Sequence, residues 1–267
     1  MYYFDFHTHA FSEKIAQKAM ASLAKTSGIN PETDGTVKDL LKKCDDFGIQ
    51  KVLILPIATK PSQQNIINTW AKEVMNDRVY CCGSVHPDAE DALEELENIK
   101  NMGLFGVKLH PEYQLFYPDD EKLFPIYKKA AELRLPVIFH GGYDPLSPDI
   151  IRATPERFAV IAKAFPNLQI VAAHLGADRL WDDVEKYLAG KFDNVYLDTA
   201  VIADDISDEQ ALRIIKTHGA DRILFGSDIP WDNPLDEVNL INRIDLSDEE
   251  RELIFYKNAE KLIEYAM

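Results

Sequence analysis

The stretch that organises the rest of the chain is Asp5-Phe6-His7-Thr8-His9, which continues the apolar run from Tyr2 to Phe6. Side chains alternate faces along a strand, so His7 and His9 are expected to point the same way with Cα atoms about 6.6 Å apart. Two imidazoles at that spacing can lean onto one cation. The pattern is short and gains meaning only from where the other histidines fall.

From here short apolar runs alternate with longer amphipathic segments. After Tyr2–Phe6, strands are expected at Lys51–Ile57, Val79–Val85, Phe105–Leu109, Pro136–Phe139, Leu168–Ala173, Val195–Leu197 and Arg222–Phe225. Helices are expected between them, among them Val37–Phe47 closed by Gly48, Pro155–Ala164 with Thr154 as N-cap, and Asp208–Thr217 capped by Ser207. A single helix is read over Asp248–Tyr265. The strands are too uniformly apolar to be solvated on one face, as in a parallel sheet wrapped by helices. Eight β-then-α units in 267 residues fit a (β/α)8 TIM barrel, with residues 1–267 forming a single domain. An open doubly wound sheet is second choice, because no Gly-x-Gly-x-x-Gly follows the first strand. Ala10 to Gly35 is long for a βα connection, an insertion suited to a lid.

Composition narrows the function classes. Hydrophobic residues make up 46% and charged residues 28%, ordinary for a soluble protein. A net charge of −16 argues against nucleic acid and anionic membrane as partners and leaves a small-molecule substrate. Cys44, Cys81 and Cys82 are odd in number and suit buried thiols in a reducing cytoplasm. The N-terminal residues lack a signal-peptide pattern, so a cytoplasmic location is expected. Self-association is left open.

Six of the seven histidines fall at the C-terminal ends of the expected strands: His7, His9, His86, His110, His140 and His174. That end of a barrel is where its chemistry is built. His218 lies apart, at a helix C-terminus, where complementing the helix dipole is sufficient reason for it. His86-Pro87 reads as a turn. Asp228 follows the eighth strand, which lies beside the first once the barrel closes. His7, His9, His140, His174 and Asp228 are thus expected around one rim, and such nitrogen and carboxylate donors suit Zn2+ first, with Fe2+ or Mn2+ as alternatives.

These residues sit in segments that, taken in order, resemble a known family: Phe4-Asp5-Phe6-His7-Thr8-His9, Gly106-Val107-Lys108-Leu109-His110-Pro111, Val137-Ile138-Phe139-His140-Gly141-Gly142, Ala173-His174-Leu175-Gly176, Val195-Tyr196-Leu197-Asp198-Thr199 and Phe225-Gly226-Ser227-Asp228-Ile229-Pro230-Trp231. The set is similar to the amidohydrolase-related branch of the amidohydrolase superfamily, whose members hydrolyse C–N and C–O bonds or decarboxylate without oxidation. The resemblance implies a divalent metal held by His7, His9, His140 and Asp228, with one ion favoured over two. It implies that His174 meets substrate or metal-bound water, or binds a second metal, and that Asp228 moves a proton. Lys108 and His110 share a strand face and would suit an anionic substrate. In two-metal relatives a carboxylated Lys or a Glu from strand 4 bridges the ions, so Lys108 is such a bridge, a substrate-carboxylate clamp or a barrel-layer residue. Asp198 either orients a ligand histidine or begins a loop. The expected activity is hydrolysis of an amide, ester or lactone, with decarboxylation of an unsaturated or aromatic acid as the alternative.

Overall fold

Runs rich in Val, Ile, Leu and Phe pair as short parallel strands that keep both faces dry, and amphipathic helices cover the outside. The computed structural model describes residues 1–267. Its strands are β1 (Phe4–Thr8), β2 (Lys51–Ile54), β3 (Val79–Cys81), β4 (Val107–Leu109), β5 (Val137–Phe139), β6 (Ile170–Ala172), β7 (Val195–Asp198) and β8 (Ile223–Leu224). β1 to β3 and β4 to β8 pair in sequence order, every pair parallel. Two seams join these arcs. Phe105 N–H donates to Cys81 O (2.9 Å) and Lys108 N–H to Gly83 O (2.8 Å), while Phe6 N–H donates to Phe225 O and Asp228 N–H to His7 O, both at 2.8 Å. The result is the closed (β/α)8 TIM barrel.

One interior side-chain cluster takes Phe4 and Phe6 from β1, Leu53, Phe105, Ile138, Val171, Tyr196 and Leu224 from around the barrel, and Leu262, Ile263 and Ala266 from the last helix. That helix ends beneath the starts of the strands, where Lys100 Nζ, just before β4, bonds Ala266 O at 2.6 Å. The other, larger cluster lies between strands and helices. Asp5 pins the closing seam: its carboxylate accepts from Ser227 N–H (3.0 Å), Ser227 Oγ–H (2.5 Å) and His7 N–H (3.1 Å). Burial nonetheless raises its pKa to about 7 against those hydrogen bonds.

Most helix limits agree with the periodicity, including Val37–Phe47 closed by left-handed Gly48 (φ 72°) and Asp208–His218 capped by Ser207. Thr154 occupies its N-cap position without a side-chain cap bond. The last helix is not uniform. It runs Asp248–Glu252, widens to a π turn over Leu253–Lys257, and resumes over Asn258–Ala266. There Ile254 O accepts the N–H of Phe225 (2.9 Å), tying the helix to the end of β8. His218 also departs from its expected part. It is fully buried, its Nε2 lies 2.9 Å from Val195 O, and burial lowers its pKa to about 4. A neutral imidazole does not complement a helix dipole; it ties helix to strand.

The Ala10–Gly35 insertion carries the helix Ala16–Ser27 and lies over the histidine end of the barrel, where Phe11, Ile15, Ala19 and Leu23 line the cavity described below. The three cysteines are buried and free. No helix is long and apolar enough to cross a membrane.

Candidate metal centre

Strict alternation would send Phe6 and His7 to opposite faces of β1, yet Phe6 belongs to the interior cluster and His7 lines the cavity above it. The pairing of β1 with β2 shifts register between Asp5 and Thr8, the kind of irregularity that re-aims side chains at a barrel rim. His7 and His9 then converge, with Nε2 atoms 3.4 and 2.9 Å from Asp228 Oδ1. Asp228 itself sits in the left-handed region (φ 68°), which aspartate tolerates better than most residues.

The other ring nitrogen of each histidine fixes its tautomer. His7 Nδ1–H faces Asp198 Oδ2 at 2.8 Å, and His9 Nδ1–H faces Leu55 O at 3.0 Å. Both Nε2 lone pairs are therefore turned toward Asp228. Two lone pairs facing a carboxylate is an arrangement that a cation relieves. Asp228 Oδ1 is also buried with no hydrogen-bond partner. His7, His9 and Asp228 offer donor atoms within 4.8 Å of one another, and this set fits a divalent ion.

His140 stands slightly apart. Its ring stacks on His110 (centroids 4.3 Å apart, planes at 8°), and its Nδ1 lies 3.0 Å from His174 Nε2. His174 donates its own Nδ1–H to Ala200 O (2.9 Å), so its Nε2 accepts from His140. This leaves His140 Nε2 bare, buried and unpartnered. Of the four expected ligands, three form one tight group, whereas His140 groups with His110 and Asp144. His174 is held with φ 61°, an uncommon conformation for histidine. Burial, aided by neighbouring histidines and Lys108, keeps the pKa values of His110 and His140 well below the usual imidazole value. His7 is lowered in the same way.

Lys108 is buried, with Nζ 3.4 Å from His7 Nε2, and burial lowers its pKa. His110 lies between the parallel rings of His140 and Tyr113, the latter with its centroid 3.6 Å away. His86 is not in the cavity; its Nδ1 accepts from Asp88 N–H (3.2 Å) as part of a turn.

Two carboxylates in the cavity were not singled out by sequence. Asp144, in Tyr143-Asp144-Pro145, reads as a turn former and does accept Leu146 N–H (2.8 Å), yet its other oxygen reaches within 3.6 Å of His110 Nε2. Asp178 has a buried, unpartnered Oδ1, and burial raises its pKa to about 6. Neither stands at a strand end, so only the closed barrel reveals them. Together these groups floor a cavity of about 580 Å3 whose outer walls are apolar.

Chains of known structure share this architecture. An uncharacterized TIM-barrel protein from Bordetella bronchiseptica superposes with a TM-score of 0.81 at 20% identity, covering 100% of this chain and 99% of the other. A 2,6-dihydroxybenzoate decarboxylase from Rhizobium gives 0.70 at 18% identity, covering 98% of each. A dihydroxybenzoic acid decarboxylase from Polaromonas, with bound manganese and the inhibitor 2-nitroresorcinol, gives 0.71 at 17%, covering 99% and 98%. At such identities the likeness establishes the fold. No curated protein matches the chain. The family model described as Amidohydrolase matches residues 4–264, nearly the whole barrel with every residue of the histidine rim, and the chain belongs to that family.

Proposed function

We propose that the protein is a metal-dependent hydrolase of a small, anionic amide, ester or lactone. The observation that carries this reading is the pair of tautomer-fixed Nε2 lone pairs, on His7 and His9, turned onto the unpartnered Oδ1 of Asp228. His7, His9 and Asp228 would hold the ion, and the bare Nε2 of His140 is the fourth candidate donor. A single ion is favoured, Zn2+ first and Fe2+ or Mn2+ as alternatives. Such an ion supplies Lewis acidity and brings the pKa of a water from 15.7 to about 7.

The remaining roles belong to the chain. Asp228, beside His7 and His9, is the carboxylate placed to take a proton from the attacking water. His174 holds the tautomer of His140 and, lining the cavity, is placed to meet the substrate or the attacking water. Lys108 and His110 offer the substrate its anionic contacts. The apolar upper cavity limits competing water.

Decarboxylation of an unsaturated or aromatic acid is the second reading, favoured by the apolar wall formed by Trp70, Ile67 and Leu23, which would receive a planar ring. Incubating the Zn2+- or Mn2+-loaded enzyme with panels of lactones, amides and aromatic acids decides between them. Hydrolysis in H2(18)O places the label in the product, whereas decarboxylation releases CO2 and puts a solvent proton, but no solvent oxygen, on the remaining organic product. Absence of both reactions across the panels would overturn the proposal.

A further inference from the structure

The floor of the cavity is polar, but its upper half is not. The inserted helix Ala16–Ser27 buries Ala16 and Met20 against the protein and turns another stripe, Ile15, Ala19 and Leu23, toward the cavity. These positions are four residues apart and so stack along one face. Across the opening, Ile66, Ile67 and Trp70 of the helix Gln64–Val74 line the same space. Ile15 is 53% and Ile66 71% exposed, which places two of the most exposed large apolar side chains of the molecule on one rim. An aliphatic rim continuous with a polar pocket needs an apolar occupant, because leaving it wet forgoes roughly 25 cal/mol for each Å2.

We infer that the substrate is amphipathic: its reacting polar head sits on the histidine floor, and an apolar tail, an acyl chain or ring system, lies between the helices Ala16–Ser27 and Gln64–Val74. The eight steps from Ile15 to Leu23 span about 12 Å of helix, the length of a medium alkyl chain. A membrane is the weaker occupant, because a net charge of −16 opposes anionic lipid and the apolar stripes line a recess leading to the polar floor. The position of the head rests on the proposed metal centre; the tail site stands on the two stripes alone.

The test is calorimetric titration of the metal-loaded protein with straight-chain carboxylates from acetate to octanoate. Affinity is expected to rise about three- to fourfold per methylene. Leu23→Asp and Ile67→Asp are expected to flatten that rise while leaving metal content, thermal stability and acetate affinity near wild type; Leu23→Ala, the milder variant, is expected to reduce it. His9→Ala is expected to weaken every chain length by a similar factor and keep the slope, so failure of the metal reading and failure of the tail site give different results. Affinity independent of chain length, or a slope surviving both aspartate variants, overturns the inference. So does binding to phosphatidylcholine vesicles that the same substitutions abolish, which would reassign the rim to membrane docking.

Discussion

Asp198 on β7 and His7 on β1, 191 residues apart in the chain, meet at 2.8 Å between Oδ2 and Nδ1, while Asp198 Oδ1 accepts the backbone N–H of His174 (2.9 Å) and of Ala200 (3.2 Å). One buried carboxylate thereby sets the tautomer of His7 and the backbone that presents His174. In Asp198→Asn the amide oxygen is expected to stay with the two backbone donors, turning its NH2 toward His7 Nδ1. His7 then carries its proton on Nε2 and cannot ligate. We expect metal affinity to fall about 10- to 100-fold with little loss of helix content, checked by competition with a chromogenic chelator and by circular dichroism.

The tight group of His7, His9 and Asp228 makes a graded prediction. His9→Ala and Asp228→Asn should lower bound metal to below about a tenth of wild-type occupancy. His140→Ala should lower it less, because its ring is held by His110 and His174 outside that group. Elemental analysis after gel filtration at equal metal supply measures this, and equal occupancy in all variants would refute the assignment.

Gly226 tests the same centre through packing. A Cβ there would meet His7 Cβ at 2.7 Å, in the seam where Phe6 N–H bonds Phe225 O. Gly226→Ala is therefore expected to cost about 1–3 kcal/mol of stability and to tilt His7. A lowered denaturant midpoint together with weakened metal binding is the expected outcome; weakened stability alone would show that the ring re-seats.

His218 gives an acid-limb prediction remote from the cavity. Unfolded, it takes up a proton near pH 6.5; folded, burial holds its pKa at about 4. Between those values the unfolded chain binds more protons, so this contribution is complete above pH 6.5 and is lost as the pH falls toward 4. The loss is about 3 kcal/mol. His218→Gln should flatten the difference between urea midpoints at pH 6.5 and pH 4.5 relative to wild type.

Much of this architecture is legible before folding because strand ends carry local signals. An apolar run followed by His or Asp marks the rim, so His7, His9, His110, His140, His174 and Asp228 all line one cavity as the chain order implies. What escapes is whatever depends on registry or on partners distant in sequence. The shift between Asp5 and Thr8 that lets Phe6 and His7 share a side leaves no trace in composition. Asp144 looks like the turn former it also is, and only its approach to His110 reveals a second use. The π turn at Leu253–Lys257, where Ile254 O accepts Phe225 N–H, is not encoded in the periodicity.

The seam between β1 and β8 carries a consequence for biosynthesis. His7 leaves the ribosome early, but Asp228, Ser227 and the helix that covers the strand starts arrive more than two hundred residues later. A nascent chain therefore exposes a pair of imidazoles long before it can offer them a carboxylate. The centre proposed from His7, His9 and Asp228 therefore cannot be complete until nearly the whole polypeptide has been made.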